Sequence, residues 1–268
     1  MTPPGDEDFP WWLLVALGLA AWWVASIWGD PFYAGLAATL AKGVQVTLFV
    51  TAVGFTMASI IGLGLALMSL SRWIVVRQVA RFYVEIVRGV PILVLLLYVA
   101  FVLAPVLVAG ANAVLEPFGL DPLRNRDFPL LWRAIIALTI GYAAFLSEVF
   151  RAGILSVDPG QIEAAKALGL RPRHRFRLIV WPQAVRTVLP PLGNDFVAMV
   201  KDSSLVSVLG VLDVTQLGKV SAVSNFRYFD TYNMVAFIYL TLTIGLSLVL
   251  RRIEARLRRR AGIEGRRA

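Results

Sequence analysis

Apolar residues run along the chain in six long stretches, at about 11–28, 44–70, 90–109, 130–150, 188–212 and 232–250, separated by shorter segments where charge collects. A helix crosses a bilayer core about 30 Å thick with roughly 20 apolar residues, and each stretch meets that measure. The runs are continuous, whereas a transmembrane strand alternates over about ten residues, so the pattern predicts helices and disfavours a barrel. Composition agrees: 58% of the 268 residues are apolar and 16% are charged, with a mean hydropathy of +0.73. A soluble domain carries roughly 25% charge. The fold class that follows is all-α, a polytopic membrane helical bundle of about six transmembrane helices. The chain has no cysteine, which excludes a structural disulfide, a thiolate metal site and a cysteine nucleophile.

The basic residues orient this bundle. Three segments hold 19 of the 26 lysines and arginines: Arg72, Arg77, Arg81 and Arg88 after the second stretch; Arg151, Lys166, Arg171, Arg173, Arg175, Arg177 and Arg186 after the fourth; and Arg251 to Arg267 after the sixth. Lysine and arginine in short loops mark the cytoplasmic side, so both termini are expected there. Asp6, Glu7 and Asp8 leave the first stretch without a basic anchor, but acidic residues weigh little in that rule. This stretch lacks the basic start and small-x-small cleavage site of a secretory signal, and Trp11, Trp12, Trp22 and Trp23 sit near its two ends like interfacial anchors. It therefore reads as a retained helix. The net charge of +9 would suggest nucleic acid in a soluble protein. Here the tail directly follows a span, and attraction to anionic lipid, about 1 kcal/mol per basic residue, accounts for it better.

The connection after the fourth stretch carries the most information. Asp158 is a good N-cap, Pro159 suits the first helical position, Gln161 completes a capping-box pattern, and Gly169 suits the left-handed residue beyond the helix end. These residues predict a helix of about ten residues, roughly 15 Å long. Pro172 starts a second helix behind the poor cap Arg171, with Phe176, Ile179 and Val180 on one face, and Pro182 is expected to stop or kink it. The alanines at 164, 165 and 167 leave the first helix nearly bare, so another surface can approach closely. The residues alone fit either a hairpin resting on lipid headgroups or an element that docks on a partner.

Glu163, Ala164, Ala165, Gly169, Ile179, Trp181 and Pro182, at their spacing, resemble the EAA signature of the membrane subunits of ABC importers, in which leucine is usual where Trp181 stands. Their surroundings resemble the polar amino acid uptake subfamily. Glu148 to Ile154, Pro182 to Arg186, Leu189 to Asn194 and Lys201 to Ser207 are similar to that group, as are Val84 to Pro91, where threonine more often replaces Val90. The resemblance covers about residues 36–250, and the first stretch lies outside it. It implies the type I importer fold, divided as 1–38 (acidic segment and additional helix), 39–250 (transmembrane domain) and 251–268 (basic cytoplasmic tail). It implies that the hairpin is a cytoplasmic coupling helix seated in a groove of an ATPase subunit, with Glu163, Ala164, Ala165 and Gly169 at the contact. The implied partners are an ATPase dimer, a second permease subunit, identical or paralogous, an extracytoplasmic amino-acid-binding protein and membrane lipid, in the bacterial inner membrane. No phosphate-binding loop occurs in the chain: Gly218 and Lys219 are followed by Val220, with no upstream glycine at the required spacing. No cofactor is therefore expected here, with ATP and magnesium on the partner, and this chain is not an enzyme.

Polar residues at membrane depth are candidates for the transport path or for an internal network. Asn194, Asp195, Lys201 and Asp202 fall within the fifth stretch, where one central charge costs about 2.5–3.5 kcal/mol. The repeat of seven residues places them on a stripe that must avoid lipid. Ser203, Ser204, Thr47 and Thr51 join them, although serine and threonine also serve helix packing in membranes. Glu148 is placed to pair with Arg151, three residues on. The single histidine, His174, reads as surface, and Arg88, Gly89 and Pro91 read as the point where a helix enters from the cytoplasm. A self-sufficient ion-coupled transporter or channel is the alternative that these intramembrane charges leave open. A membrane-tethered DNA reader is not, since the hairpin is pinned at both ends within a few residues of spans.

Overall fold

The computed structural model describes residues 11–260, so Asp6, Glu7, Asp8, Arg266 and Arg267 lie outside the described residues. α1 (Trp11–Gly29) and α2 (Pro31–Ser69) meet at Asp30, whose Oδ1 accepts a hydrogen bond from the Phe32 N–H at 2.8 Å and caps α2 above Pro31. α3 (Ile74–Gly89) and α4 (Ile92–Tyr98) are separated at Val90 and Pro91, where the proline lacks the N–H that would continue the helix. α4 runs through a π-helical turn, Val99–Leu103, into α5 (Ala104–Leu115). α6 (Leu130–Leu155) leads to the hairpin of α7 (Pro159–Ala167) and α8 (Pro172–Arg175). A second π-helical turn, Phe176–Val180, joins α8 to α9 (Trp181–Asp202); a 3₁₀ segment, Ser203–Leu209, then precedes α10 (Val214–Asn225) and α11 (Tyr228–Arg260).

Among the described residues, four runs are long and apolar enough to cross a membrane: Pro31–Ser69, Ile92–Phe118, Leu130–Leu155 and Tyr228–Arg256. The stretch expected at 188–212 is built differently. The helix ends at Asp202, and Gly210, at φ 80°, turns the chain after the 3₁₀ segment. In the other direction the helix does not stop at Pro182. The π-helical turn before it shifts the carbonyl ladder by one residue and absorbs the missing N–H, so α8, the turn and α9 form one rod from the hairpin to Asp202.

α6 is the central post, and α2 lies along it because small residues let the two backbones close up. A Cβ on Gly62 would lie 3.0 Å from Ala143 O and 3.1 Å from Ser147 N. α3, α4 and α9 pack around the same core, which includes Ile135, Leu138, Leu146, Leu96 and Met199. Arg133, buried near the start of α6, donates to Phe128 O at 2.9 Å, to Ala100 O at 2.8 Å and to Asn125 O. It thereby ties the α5–α6 connection to the first π-helical turn. A second cluster joins α1, α2, α10 and α11: Trp23 packs edge-on against Tyr33 and stacks on Phe237, above Leu36, Leu40, Val214 and Met234. Arg227, just before α11, pairs with Asp230 at 2.8 Å and lies 4.0 Å from the centre of the Phe32 ring, so α11 starts beside the start of α2.

The closest backbone approach in that second cluster is at Gly43. A Cβ there would meet Val214 N at 2.6 Å and Asp213 O at 2.8 Å, whereas at Gly64 nothing lies within 4 Å. Backbone cannot give way as a flexible side chain can, and overpacking costs about 1–3 kcal/mol. Gly43→Ala is therefore expected to lower the melting temperature of the purified chain by several degrees, while Gly64→Ala leaves it unchanged or raises it, as alanine does in an open helix position. Equal melting of the two variants would contradict this packing.

Candidate functional site

A cavity of about 470 Å³ opens between the α3–α4 break, the middle of α6 and α9. That size suits a small molecule. The charged and polar groups on its wall are Arg88, Tyr142, Asp195 and Asp202, with Gly89 and Pro91 from the break. Gly141 and Tyr142 lie near the midpoint of the 26-residue α6, and Arg88, exposed to the cavity, stands level with them. The break that Arg88, Gly89 and Pro91 mark between α3 and α4 thus stands level with the middle of α6. α3 packs against α2 and α6 through Ala80, Val84 and Val87 and leads, across the break at Val90 and Pro91, into α4. Irregular backbone at membrane depth is tolerated where it lines a cavity, and interrupted helices of this kind surround substrate sites in transporters.

The charges in the cavity are held apart. The Tyr142 hydroxyl donates to Asp202 Oδ2 at 2.8 Å. Asp195 has no hydrogen-bond or ion-pair partner among the described residues. The Arg88 guanidinium lies 5.6 Å from the centre of the Phe145 ring, within cation–π reach, and pairs with neither carboxylate. Asn194 and Lys201, expected on the same stripe, lie on another face, outside the cavity wall. The reason is helical arithmetic: seven residues are two turns, so 194 stacks on 201 and 195 on 202, but neighbouring residues diverge by about 100°. The four residues form two stripes, and one of them reaches the cavity.

The remaining polar candidates lie elsewhere. Ser203 is buried and its hydroxyl donates to Val200 O at 2.7 Å; Ser204 is half-buried outside the cavity wall. Thr47 and Thr51 are buried in α2, where the Thr51 hydroxyl donates to Thr47 O at 2.8 Å. Thr47 lies beside Tyr239, whose hydroxyl donates at 3.0 Å to a group that sequence reading missed: Asp213, fully buried, which caps α10 by accepting from Gln216 N–H at 2.8 Å. An aspartate three residues after a glycine turn, at the start of a helix, is the signal that could have found it. Glu148 and Arg151 form an ion pair at 2.6 Å below Phe145 on α6. Among the described residues no group of three or more histidine, cysteine, aspartate or glutamate side chains could hold a metal ion.

The hairpin presents the second surface. Asp158 Oδ1 accepts from Gly160 N–H at 2.7 Å, which caps α7. The capping box is not formed: Gln161 Oε1 accepts from Gln183 Nε2 at 2.6 Å instead, bracing α7 against α9. At the other end Gly169 is left-handed, at φ 71°, and its N–H donates to Lys166 O at 2.9 Å while Leu170 N–H donates to Ala165 O at 3.1 Å. Those two bonds are a Schellman closure. Ala165 is buried against the hairpin; Glu163, Ala164 and Gly169 are exposed, and Leu168 is 80% exposed beside them. An apolar knob flanked by small residues on a rigid turn is a surface another protein can seat on closely.

A family model described as "Binding-protein-dependent transport system inner membrane component" matches residues 54–262. The chain belongs to this family. As a transport system inner membrane component it is 36% identical over 213 residues to the probable amino-acid permease protein YxeN of Bacillus subtilis (strain 168), covering 79% of this chain and 88% of that protein. It is 34% identical over 221 residues to the glutamine transport system permease protein GlnP of Escherichia coli (strain K12), covering 82% and 93%. A crystal structure of an amino acid ABC transporter superposes with a TM-score of 0.69 at 34% identity, over 82% of this chain and 94% of that one. The inner membrane component is thus a membrane-embedded permease of ABC transporter type, as the EAA-like residues imply, and its all-α bundle is the fold of its relatives.

Proposed function

We propose that this chain is the permease subunit of an ATP-driven importer of polar amino acids, and that the cavity between α3, α6 and α9 is a station on the transport path. The observation that carries the reading is the cavity's charge pattern at mid-bundle. An amino acid brings a carboxylate and an ammonium, and the wall offers a guanidinium and carboxylates held apart from one another. Arg88 would hold the substrate carboxylate in a bidentate pair, and Asp202, aimed by Tyr142, would hold the ammonium. Asp195 completes the wall.

Energy comes from a partner. Alternating access requires that ATP binding and hydrolysis favour one of two states, and Glu163 and Ala164 on α7, with Gly169 at the turn and Ala165 packed beneath them, form the surface through which an ATPase subunit, carrying ATP and magnesium, would act. The continuous rod from α8 through α9 joins that surface to Asp195 and Asp202. The full assembly would hold an ATPase dimer, a second permease and an extracytoplasmic amino-acid-binding protein. In the inner membrane, α1, α2, α3 to α5, α6, α9 with its 3₁₀ segment, and α11 would make six crossings, with both termini and α7 in the cytoplasm. α1 adds to the transmembrane domain of 39–250, and Arg251, Arg252 and Arg256 at the end of α11 would meet anionic lipid.

Proteoliposomes test the reading. Uptake of a polar amino acid is expected only when the chain is reconstituted with its ATPase and ATP. Gradient-driven uptake by this chain alone would favour the self-sufficient transporter instead.

A further inference from the structure

α3 presents three faces. Ala80, Val84 and Val87 are buried against α2 and α6. Val75, Val79, Phe82 and Ile86, spaced four, three and four residues apart, form an apolar stripe that is exposed, Phe82 at 68%. Arg77, Arg81 and Arg88 lie roughly 150° away round the helix. Arg72 precedes the helix beside the exposed Trp73, and Glu85 is the one carboxylate on α3. Arg72, Arg77 and Arg81 form no ion pair among the described residues, and Arg77 donates to Ser71 O at 3.4 Å.

This helix lies across α6 rather than along it. Arg81 and Arg88 are both within electrostatic reach of the single Glu148 carboxylate on α6, and the Tyr83 hydroxyl between them donates to Ile140 O at 2.9 Å. α2, by contrast, runs alongside α6, with Gly54 beside Thr139 and Gly62 beside Ala143 and Ser147. α3 therefore leaves the end of α2 and climbs obliquely to the break before α4. An oblique helix with an apolar stripe, an opposed row of arginines and an exposed tryptophan at its start has the build of one that rests in a membrane interface. Anionic lipid of the cytoplasmic leaflet supplies the complementary charge. An open groove of about 410 Å³, lined by Ile74, Val75, Gln78, Val79 and Phe82, runs along the outer side, and Arg81 follows Gln78 by one helical turn. We propose that α3 lies in the cytoplasmic membrane interface and binds an anionic phospholipid, with an acyl chain in this groove and the phosphate on Arg77 and Arg81. The proposal rests on reading the chain as a permease with α7 in the cytoplasm, and goes beyond it by assigning a lipid site.

The chain has no cysteine, so single cysteines report single positions, with the native assembly as background. The assembly released by mild detergent is placed in lipid nanodiscs with a spin label on Val75→Cys, Val79→Cys, Phe82→Cys or Ile86→Cys. Accessibility to oxygen and to a water-soluble nickel chelate reads depth. Ile60→Cys and Leu67→Cys on α2 are the reference, expected to differ in depth by about 10 Å as on a crossing helix. Val75 to Ile86 covers about 16 Å of helix, and those labels are expected to be open to oxygen and to differ in depth by less than half of that. Depth that grows along the full length, or shielding from both reagents by a covering protein, overturns the interfacial placement. Failure of the α2 reference overturns the permease reading as well. A fluorophore on Val79→Cys is then quenched by brominated phosphatidylglycerol or brominated phosphatidylcholine at equal bulk fraction. Phosphatidylglycerol is expected to be enriched about threefold or more at the label, and Arg77→Gln combined with Arg81→Gln to bring the ratio to about one, with an unchanged size-exclusion profile. Equal quenching by the two lipids, or an enrichment that the double variant leaves intact, overturns the lipid site.

Discussion

Arg88→Gln is expected to reduce ATP-driven amino-acid uptake on the order of a hundredfold, with little change in the amount of assembled transporter. Arg88 forms no ion pair among the described residues and is exposed to the cavity, so the fold does not depend on its charge. The substrate carboxylate does. Removing one member of a desolvated charge pair typically costs about 2–5 kcal/mol, which corresponds to roughly 30- to 1,000-fold in affinity. Arg88→Lys is expected to recover part of the loss, because an ammonium supplies the charge without the two-pronged geometry. Uptake of labelled amino acid into proteoliposomes, normalised to protein recovered in the complex, reads the effect. Native uptake by the glutamine variant would remove Arg88 from the path and with it the reading of the cavity.

The second large effect is expected at the other surface. Gly169 sits at φ 71°, and a Cβ added there would meet nothing within 4 Å, so space is not the obstacle to substitution. Backbone conformation is. A left-handed residue other than glycine costs about 1–2 kcal/mol, and a β-branched side chain is a particularly poor fit. Gly169→Val should therefore open the Schellman closure that holds Lys166 O and Ala165 O, and displace α7 against its partner. Uptake is expected to fall at least tenfold while the ATPase continues to hydrolyse ATP without transport. Gly169→Asn, which tolerates this conformation, should retain most of the activity. If valine proved as active as asparagine, the turn would have no part in transmitting force.

Each surface was legible to a different degree. The hairpin is local, and its signals act within a dozen residues: Asp158 caps, Gly169 reverses, and the structure contains both. Gln161 departs from the capping box because Gln183, distant in sequence, competes for its side chain at 2.6 Å. The cavity is not local. Asp195 and Asp202 are visible as charges in an apolar stretch, but spacing alone merges them with Asn194 and Lys201. Only the direction in which α9 faces α6 divides the four. Arg88 looks like an interfacial arginine because α3 carries Arg77, Arg81 and Glu85. The Gly89 to Pro91 interruption is the sign that a helix breaks there, and its height along α6 follows from packing beside Tyr142.

By itself the sequence determined the solvent, the class of fold and the family. Long apolar runs cannot stay in water, and the placement of arginines and the capped hairpin are read from neighbouring residues. The tertiary structure decided where the charges go. Which residues line one cavity depends on how a broken crossing, a central helix and a proline-containing rod pack together, and that packing is set by small residues such as Gly54 and Gly62 that allow backbones to meet. Helical periodicity specifies a face, but only the neighbouring helices determine whether that face meets lipid, protein or a charged hollow.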